Sequence, residues 1–244
     1  MTDKFFVNNQ EFECNASSGD NHYFLLDNGC IAEIEFGDSY PESPRVSGSG
    51  STFITFERNC ESPDENPFKN WDELLKYFGV ELNEDNTKYM NSIVNAIQKK
   101  AEEKDIALLP VWKYEHGGSV YRAAETNPFP DASWDSGVVG FIYIDVCPEI
   151  DGISVNTVKN QLKLEVDEYN QWVNNELYRY TIYDREGDQI DTSGGYYNVQ
   201  DVIDTIDDYN DAKPVKDLGC HKDIANCLYA NRKEFSKIQN DVIR

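Results

Sequence analysis

The chain has 244 residues, 45 of them acidic against 22 basic, for a formal net charge of −23. That length suffices for one large domain or two small ones with a real hydrophobic core, and an aromatic share of 13% excludes an acidic disordered chain, which would be poor in aromatics. The charge disfavours direct contact with nucleic acid or an anionic membrane, since both need Lys and Arg to meet phosphates. A basic macromolecule is the natural complement.

Residues 1–60 read as β. "HYFLLD" and "CIAEIEF" flank Asp27-Asn28-Gly29, a strong hairpin signal. In the second segment Glu33 and Glu35 alternate with Ile34 and Phe36. The stretch 37–51 is a loop by composition, after which "TFITFER" resumes the sheet, and 59–68 is a second long connection. Helices follow. "NWDELLKYFG" predicts a short one ending at Gly79, and 84–104 a longer one with Ile93, Val94, Ile97 and Ala101 on one face.

From residue 106 the pattern returns to β. "IALLPVWKYEHGGSVYRAA" is a hairpin turning at His116-Gly117-Gly118, and "VVGFIYIDV" is a strand buried on both faces. Pro128 and Pro130 hold the preceding chain extended, Asp135 suits an Asx-turn, and Gly137 supplies a permissive dihedral. Gly140 inside the strand implies close approach of a neighbour. Val155, Val158, Leu162, Val166, Tyr169 and Val173 recur at helical spacing. A second hairpin turns at Glu186-Gly187, and helices are predicted at 198–210 and 221–240. The expected class is α+β: antiparallel sheets with packed helices, a β-rich N-terminal region and a helical C-terminus. The segments read as a β-rich region at 1–60, a helical connection at 61–104, an α+β core at 105–212 and a C-terminal helix at 213–244.

The acidity is uneven. Residues 105–212 hold 21 Asp/Glu against 6 Lys/Arg, whereas 213–244 hold 4 against 7. In "NVQDVIDTIDDYND", Asn198 and Asp201 form a capping-box-like start, and Val199, Val202, Ile203 and Ile206 make a buried stripe. Asp201, Asp204, Asp208 and Asp211 fall on the opposite side, about 4.5–6 Å apart along the axis, a spacing that suits a substitute for backbone phosphates. Asp184, Glu186, Asp188 and Asp191 cluster in "DREGDQID". That segment lacks the glycine at the sixth position and the glutamate at the twelfth that an EF-hand loop needs, so it reads as a hairpin tip adding charge to the same surface.

Other chemistry is thin. Cys220-His221 with Cys227 is a Cys/His group without a fourth ligand or a CxxC knuckle, and the six cysteines are scattered. No metal and no cofactor are expected. The least poor catalytic set is Asp131, Asp135 and His116, with Asp145 at the strand's far end, and no lysine or arginine lies between Arg122 and Lys159 to stabilise developing charge. None of the GxSxG, HExxH, P-loop or dinucleotide-binding patterns occurs. The start "MTDKFFVNNQ" is not a signal peptide, and no apolar run approaches a membrane span, so a soluble cytoplasmic protein is expected.

Pro128-Phe129, Trp134 to Gly137, Val139 to Tyr143, and the hairpin from Tyr178 to Tyr197 together resemble a family of small acidic bacteriophage and mobile-element proteins. The likeness covers roughly residues 107–197, and Thr192-Ser193-Gly194 stands where the family pattern has Cys-Trp-Gly. It implies a phage-like origin and no particular activity. With the charge, it makes the expected function that of a non-enzymatic inhibitor acting in the host cytoplasm. The expected partner is a basic, nucleic-acid-binding defence protein such as a CRISPR effector or restriction nuclease. The eight carboxylates at 184, 186, 188, 191, 201, 204, 208 and 211 would form the contact. A toxin-neutralising immunity-type binder and an acidic-site hydrolase are the alternatives.

Overall fold

A computed structural model describes residues 3–17, 19–38, 42–46, 48, 50–58, 61–81, 90–129, 134–146 and 154–220. The chain forms two compact units, one from residues 1–41 and 175–244 and the other from residues 42–174. These junctions differ from the boundaries read from composition at 60, 104 and 212. The first unit is discontinuous, with the second inserted into it. The backbone N–H groups of Gly37 and Asp38 both donate to the carbonyl of Leu177, at 2.9 and 3.1 Å. The first unit therefore holds its two chain segments together where the insertion leaves and returns, the arrangement that makes an insertion tolerable.

The first unit contains the strands β1 (Asp3–Val7), β2 (Gln10–Cys14), β3 (His22–Leu26) and β4 (Ile31–Phe36). Its later segment supplies β9 (Tyr178–Tyr183), β10 (Gln189–Tyr196), helix α4 (Val199–Asn210) and β11 (Pro214–Gly219). β1 and β2 form a hairpin, and the other strands form a sheet in the order β10-β9-β4-β3-β11, antiparallel throughout. Period-two alternation puts Tyr178, Tyr180 and Ile182 on the same side as Ala32 and Ile34, where they pack with α4 and the β1–β2 hairpin. Glu33 points the other way, as its position in the alternation requires, yet it is fully buried. Its carboxylate accepts from the phenols of Tyr23 (2.7 Å) and Tyr183 (2.8 Å) and from Asn21 Nδ2 (2.8 Å), which meets the cost of desolvating the charge. One expectation is corrected. Residues 214–219 belong to no helix but form the edge strand β11, paired with β3; the rest of the predicted C-terminal helix, with His221 and Cys227, lies outside the described residues.

The second unit contains β5 (Thr52–Thr55), α1 (Trp71–Phe78), α2 (Met90–Glu102), β6 (Ile106–Glu115), β7 (Ser119–Ala123), β8 (Ser136–Asp145) and α3 (Val155–Val173). Its sheet runs β5-β8-β6-β7. β5 therefore does not continue the N-terminal sheet. It pairs with β8, with Thr55 opposite Gly140. β8 is central and contributes to both faces: Ile142 packs with Leu162, Val166 and Tyr169 of α3, and Phe141 with Leu74 and Phe78 of α1 and Val94 and Ile97 of α2. The layers are helix, sheet, helix. A Cβ on Gly140 would meet the Ile54 carbonyl oxygen and lie 2.7 Å from Thr55 Cα, so the glycine is there because β5 crosses too close for a side chain. Gly137, by contrast, sits in the ladder opposite Lys113 and not in a left-handed turn.

Both sheet edges are closed by side chains. On β7, the Tyr121 N–H donates to Asn170 Oδ1 (2.7 Å) and the Ser119 carbonyl accepts from Asn174 Nδ2 (2.9 Å), both from the end of α3 and the residue after it. On β5, Phe53 N–H donates to Asp64 Oδ2 (2.6 Å) and Thr55 N–H to Ser62 Oγ (3.0 Å). Such plugs remove the unpaired backbone groups that invite strand addition. Asp64 also takes the guanidinium of buried Arg45 in a two-pronged contact at 3.0 and 2.6 Å, while Arg45 Nη1 reaches Glu165 at 2.5 Å. One arginine thus ties the loop before β5, the 61–66 connection and α3 into one body.

Candidate functional site

α4 presents the acidic surface. Its start is the predicted reciprocal cap: the Asp201 N–H donates to Asn198 Oδ1 (2.9 Å) and Asn198 Nδ2 donates to Asp201 Oδ2 (2.7 Å). Val199, Val202, Ile203 and Ile206 are buried. At about 100° per residue, Asp201, Asp204 and Asp208 fall within an arc of about 60° opposite that stripe, and with Asp211 following at the C-cap the four span about 15 Å along the axis. All four are exposed, and among the described residues none is in an ion pair. Asp207, off this arc, is paired with Lys213 at 2.9 Å. Asp211 ends the helix in the left-handed conformation, φ 47°.

The hairpin contributes less than its composition promised. Asp184 Oδ1 accepts the N–H groups of Glu186 (2.9 Å) and Asp188 (2.8 Å), and Gly187 takes φ 82° beneath them. That carboxylate folds the tip, so the segment's own backbone occupies the oxygen a calcium reading would have needed. Asp191 is likewise committed: Oδ2 accepts from Tyr180 Oη (2.8 Å) and Asn210 Nδ2 (2.9 Å), and Oδ1 from the Thr192 N–H (2.8 Å). The Asn210 hydrogen bond first, then those from Tyr180 and Thr192, hold its carboxyl below the usual range against an opposing effect of burial. Of the eight predicted contact residues, Asp184 and Asp191 therefore build the fold, and Asp201, though exposed, shares in capping α4. Glu186 and Asp188 at the tip are exposed with the four helix aspartates, and Asp191 joins β9, β10 and the end of α4.

Sequence reading missed what lies beside the acidic arc. Between α4 and β10 runs an open groove of about 630 Å³. Tyr180, Asp191, Ser193 and Tyr196 line it from the sheet, and Thr205, Tyr209 and Asn210 from the helix. Tyr209 is 82% exposed and Ile190, at the rim, 53%. Helical geometry puts Thr205 and Tyr209 between the acidic arc and the buried stripe. Tyr209 could have been noticed, since it is a large aromatic that falls outside the apolar stripe of its own helix.

Only part of the catalytic alternative lies within the described residues. His116 and Asp135 are neighbours, Nδ1 to Oδ2 3.6 Å, but both are open to solvent. Asp145 lies at the opposite end of β8, about 30 Å away at strand rise, and Asp131 lies outside the described residues. Trp134, next to Asp135, is 97% exposed. Cys220 lies beside His22, and the other members of its sequence group, His221 and Cys227, lie outside the described residues. The Cys220 Sγ lies 3.6 Å from His22 Nδ1, and His22 Nε2 lies 2.7 Å from Asp217 Oδ1. This has the outline of a thiol–imidazole–carboxylate relay, but the Asn15 N–H already donates to that Nδ1 at 2.9 Å. The imidazole lone pair that would take the thiol proton is thus in use. Burial, then Asp20 and Asp217, also push the Cys220 thiol up, the reverse of what an activated nucleophile needs. Among the described residues no group of three or more His, Cys, Asp or Glu could hold a metal ion, and no helix is long and apolar enough to cross a membrane. Comparisons with family models, curated proteins and solved structures find no match to the chain.

Proposed function

We propose that the protein is a non-enzymatic acidic binder whose partner is a basic, nucleic-acid-binding protein. Within that class, the reading is a phage-type inhibitor of a host defence nuclease or CRISPR effector. The observation that carries it is the arc on α4. Four exposed aspartates follow one another over about 15 Å with no cation paired to them among the described residues. Like charges at this spacing weaken a helix, so their accumulation is intelligible if the charge is used outside the molecule. Asp201, Asp204, Asp208 and Asp211, with Glu186 and Asp188, would stand where phosphate oxygens stand in a nucleic-acid complex. Long-range attraction between such a face and a basic cleft speeds encounter and weakens with salt.

A plating assay tests this. Cells carrying an active restriction or CRISPR system are challenged with a targeted phage while expressing either the wild-type protein or the variant with Asp201, Asp204, Asp208 and Asp211 all changed to Asn. Wild-type expression is expected to restore plaque formation, and the variant is not. Equal plating with both proteins, across a panel of such systems, removes the proposal.

A further inference from the structure

We propose that the groove between α4 and β10 receives an arginine side chain from a basic segment of the protein partner. This deepens the acidic-binder reading and rests on it. The groove adjoins the acidic arc on the same helix, so a basic segment drawn to Asp201, Asp204 and Asp208 arrives at its mouth. What it then meets differs from a bare carboxylate surface. Of the nine lining residues, Tyr180, Ser193, Tyr196, Thr205 and Tyr209 carry hydroxyls, while the hydroxyl of Thr192 is taken by the Tyr180 carbonyl and Thr181 Oγ1. They provide oxygen acceptors together with the faces of aromatic rings. At the base, Asp191 is held ionised by its donors, and its Oδ1 accepts a single hydrogen bond among those described, leaving capacity for another.

This combination suits guanidinium better than ammonium. A planar fork of five N–H donors can stack on a tyrosine ring while bonding in its own plane to hydroxyls and carboxylate, whereas a lysine head is a compact, strongly hydrated charge. The exposed Tyr209 ring is available for stacking, and Ile190 at the rim offers apolar surface to the methylene stem.

The test titrates two capped, fluorescently labelled peptides, tetra-arginine and tetra-lysine, with the full-length protein at about 50 mM salt, where exposed charges still act over more than 10 Å, reading anisotropy. Variants Tyr209→Ala and Tyr209→Phe are compared with wild type; the side chain is exposed enough for either change to leave the fold intact. Tetra-arginine is expected to bind about fivefold more tightly than tetra-lysine, to lose that advantage in Tyr209→Ala and to keep it in Tyr209→Phe, a size set by stacking a cation on one ring. Equal binding of both peptides, unaltered by Tyr209→Ala but weakened in the four-aspartate variant, overturns the groove proposal and leaves the acidic-binder reading standing. Absence of binding by either peptide overturns both.

Discussion

Changing Asp208 and Asp211 together to Asn is expected to stabilise the unit that carries α4 while weakening its binding. The magnitude follows from position. Asp208 is four residues from Asp204 and three from Asp211, Asp211 is four from Asp207, and each such like-charge pair costs about 0.2–0.5 kcal/mol. Both charges also sit at the helix C-terminus, where the macrodipole disfavours an anion by about 0.3–1 kcal/mol each. The gross relief is therefore about 1–3 kcal/mol. Solvent screening reduces it, as does the lost attraction between Asp211 and Lys213, whose ammonium is held above its usual range by Asp207 first, with Asp211 a smaller contributor. A net gain of about 1 kcal/mol is expected at about 50 mM salt. Asparagine at 211 keeps the left-handed cap strain-free, since it tolerates φ near 47°. Urea unfolding should show the midpoint rise at low salt and at least half of that rise disappear at about 0.5 M NaCl, where the Debye length is short. A loss of stability, or a gain independent of salt, refutes the electrostatic reading of this helix.

Other substitutions probe the frame that holds the surface. Gly140→Ala forces a Cβ against the backbone of β5, 2.7 Å from Thr55 Cα, and should cost about 3 kcal/mol or more by urea midpoint; a cost below about 0.5 kcal/mol would show that the strands separate freely. Arg45→Ala leaves Asp64 and Glu165 without their shared guanidinium and should cost about 3–5 kcal/mol, and Arg45→Lys should recover little of it, because an ammonium cannot reproduce the two-pronged contact. Full rescue by lysine would contradict the clamp. Asp191 has a folded-state pKa below its unfolded one, so its stabilising contribution is complete above the unfolded value near 3.9 and is lost as pH falls through the folded value. In Asp191→Asn the acid limb of the stability–pH curve should be shallower below about pH 4, and an unchanged limb would show that its hydrogen bonds do not favour the charged form.

Much of this frame is legible in residues that are near neighbours in sequence. Asp27-Asn28-Gly29, His116-Gly117-Gly118 and Glu186-Gly187 mark their turns because each needs backbone geometry that few residues adopt, and Asn198 with Asp201 marks the start of α4 because the cap is local. Gly140 hints at a close approach or a bulge because a glycine weakens the interior of a buried strand, and the β6–β8 ladder does shift register there. What escapes the sequence is long-range. Thr52–Thr55 reads as strand, but nothing in four residues says that its partner is β8 rather than β4. β11 begins with a proline and is half exposed, so it lacks a strand's alternation and reads as part of the predicted C-terminal helix; pairing with β3 decides its state. The boundary at 41/42 falls inside a stretch that reads only as one loop among several, and the one at 174/175 falls where α3 ends on Asn174, so neither announces an insertion in sequence. In the candidate surface, charge is visible but use is not. Asp184 and Asp191 look like Asp208 in a sequence, and only their donors, the Glu186 and Asp188 amides, Tyr180 and Asn210, reveal that they are structural.

The most direct measurement of the acidic arc as a binding face is competition for nucleic acid on a captured partner. Immobilised protein is used to capture host proteins at about 50 mM salt, and the captured protein is then loaded with labelled duplex DNA and titrated with soluble wild-type protein or the four-aspartate asparagine variant. Wild type is expected to displace the duplex, with apparent affinity falling as salt rises, and the variant to leave it bound. Displacement by both proteins alike, or a duplex that stays bound while wild type saturates its partner, contradicts the assignment of that face.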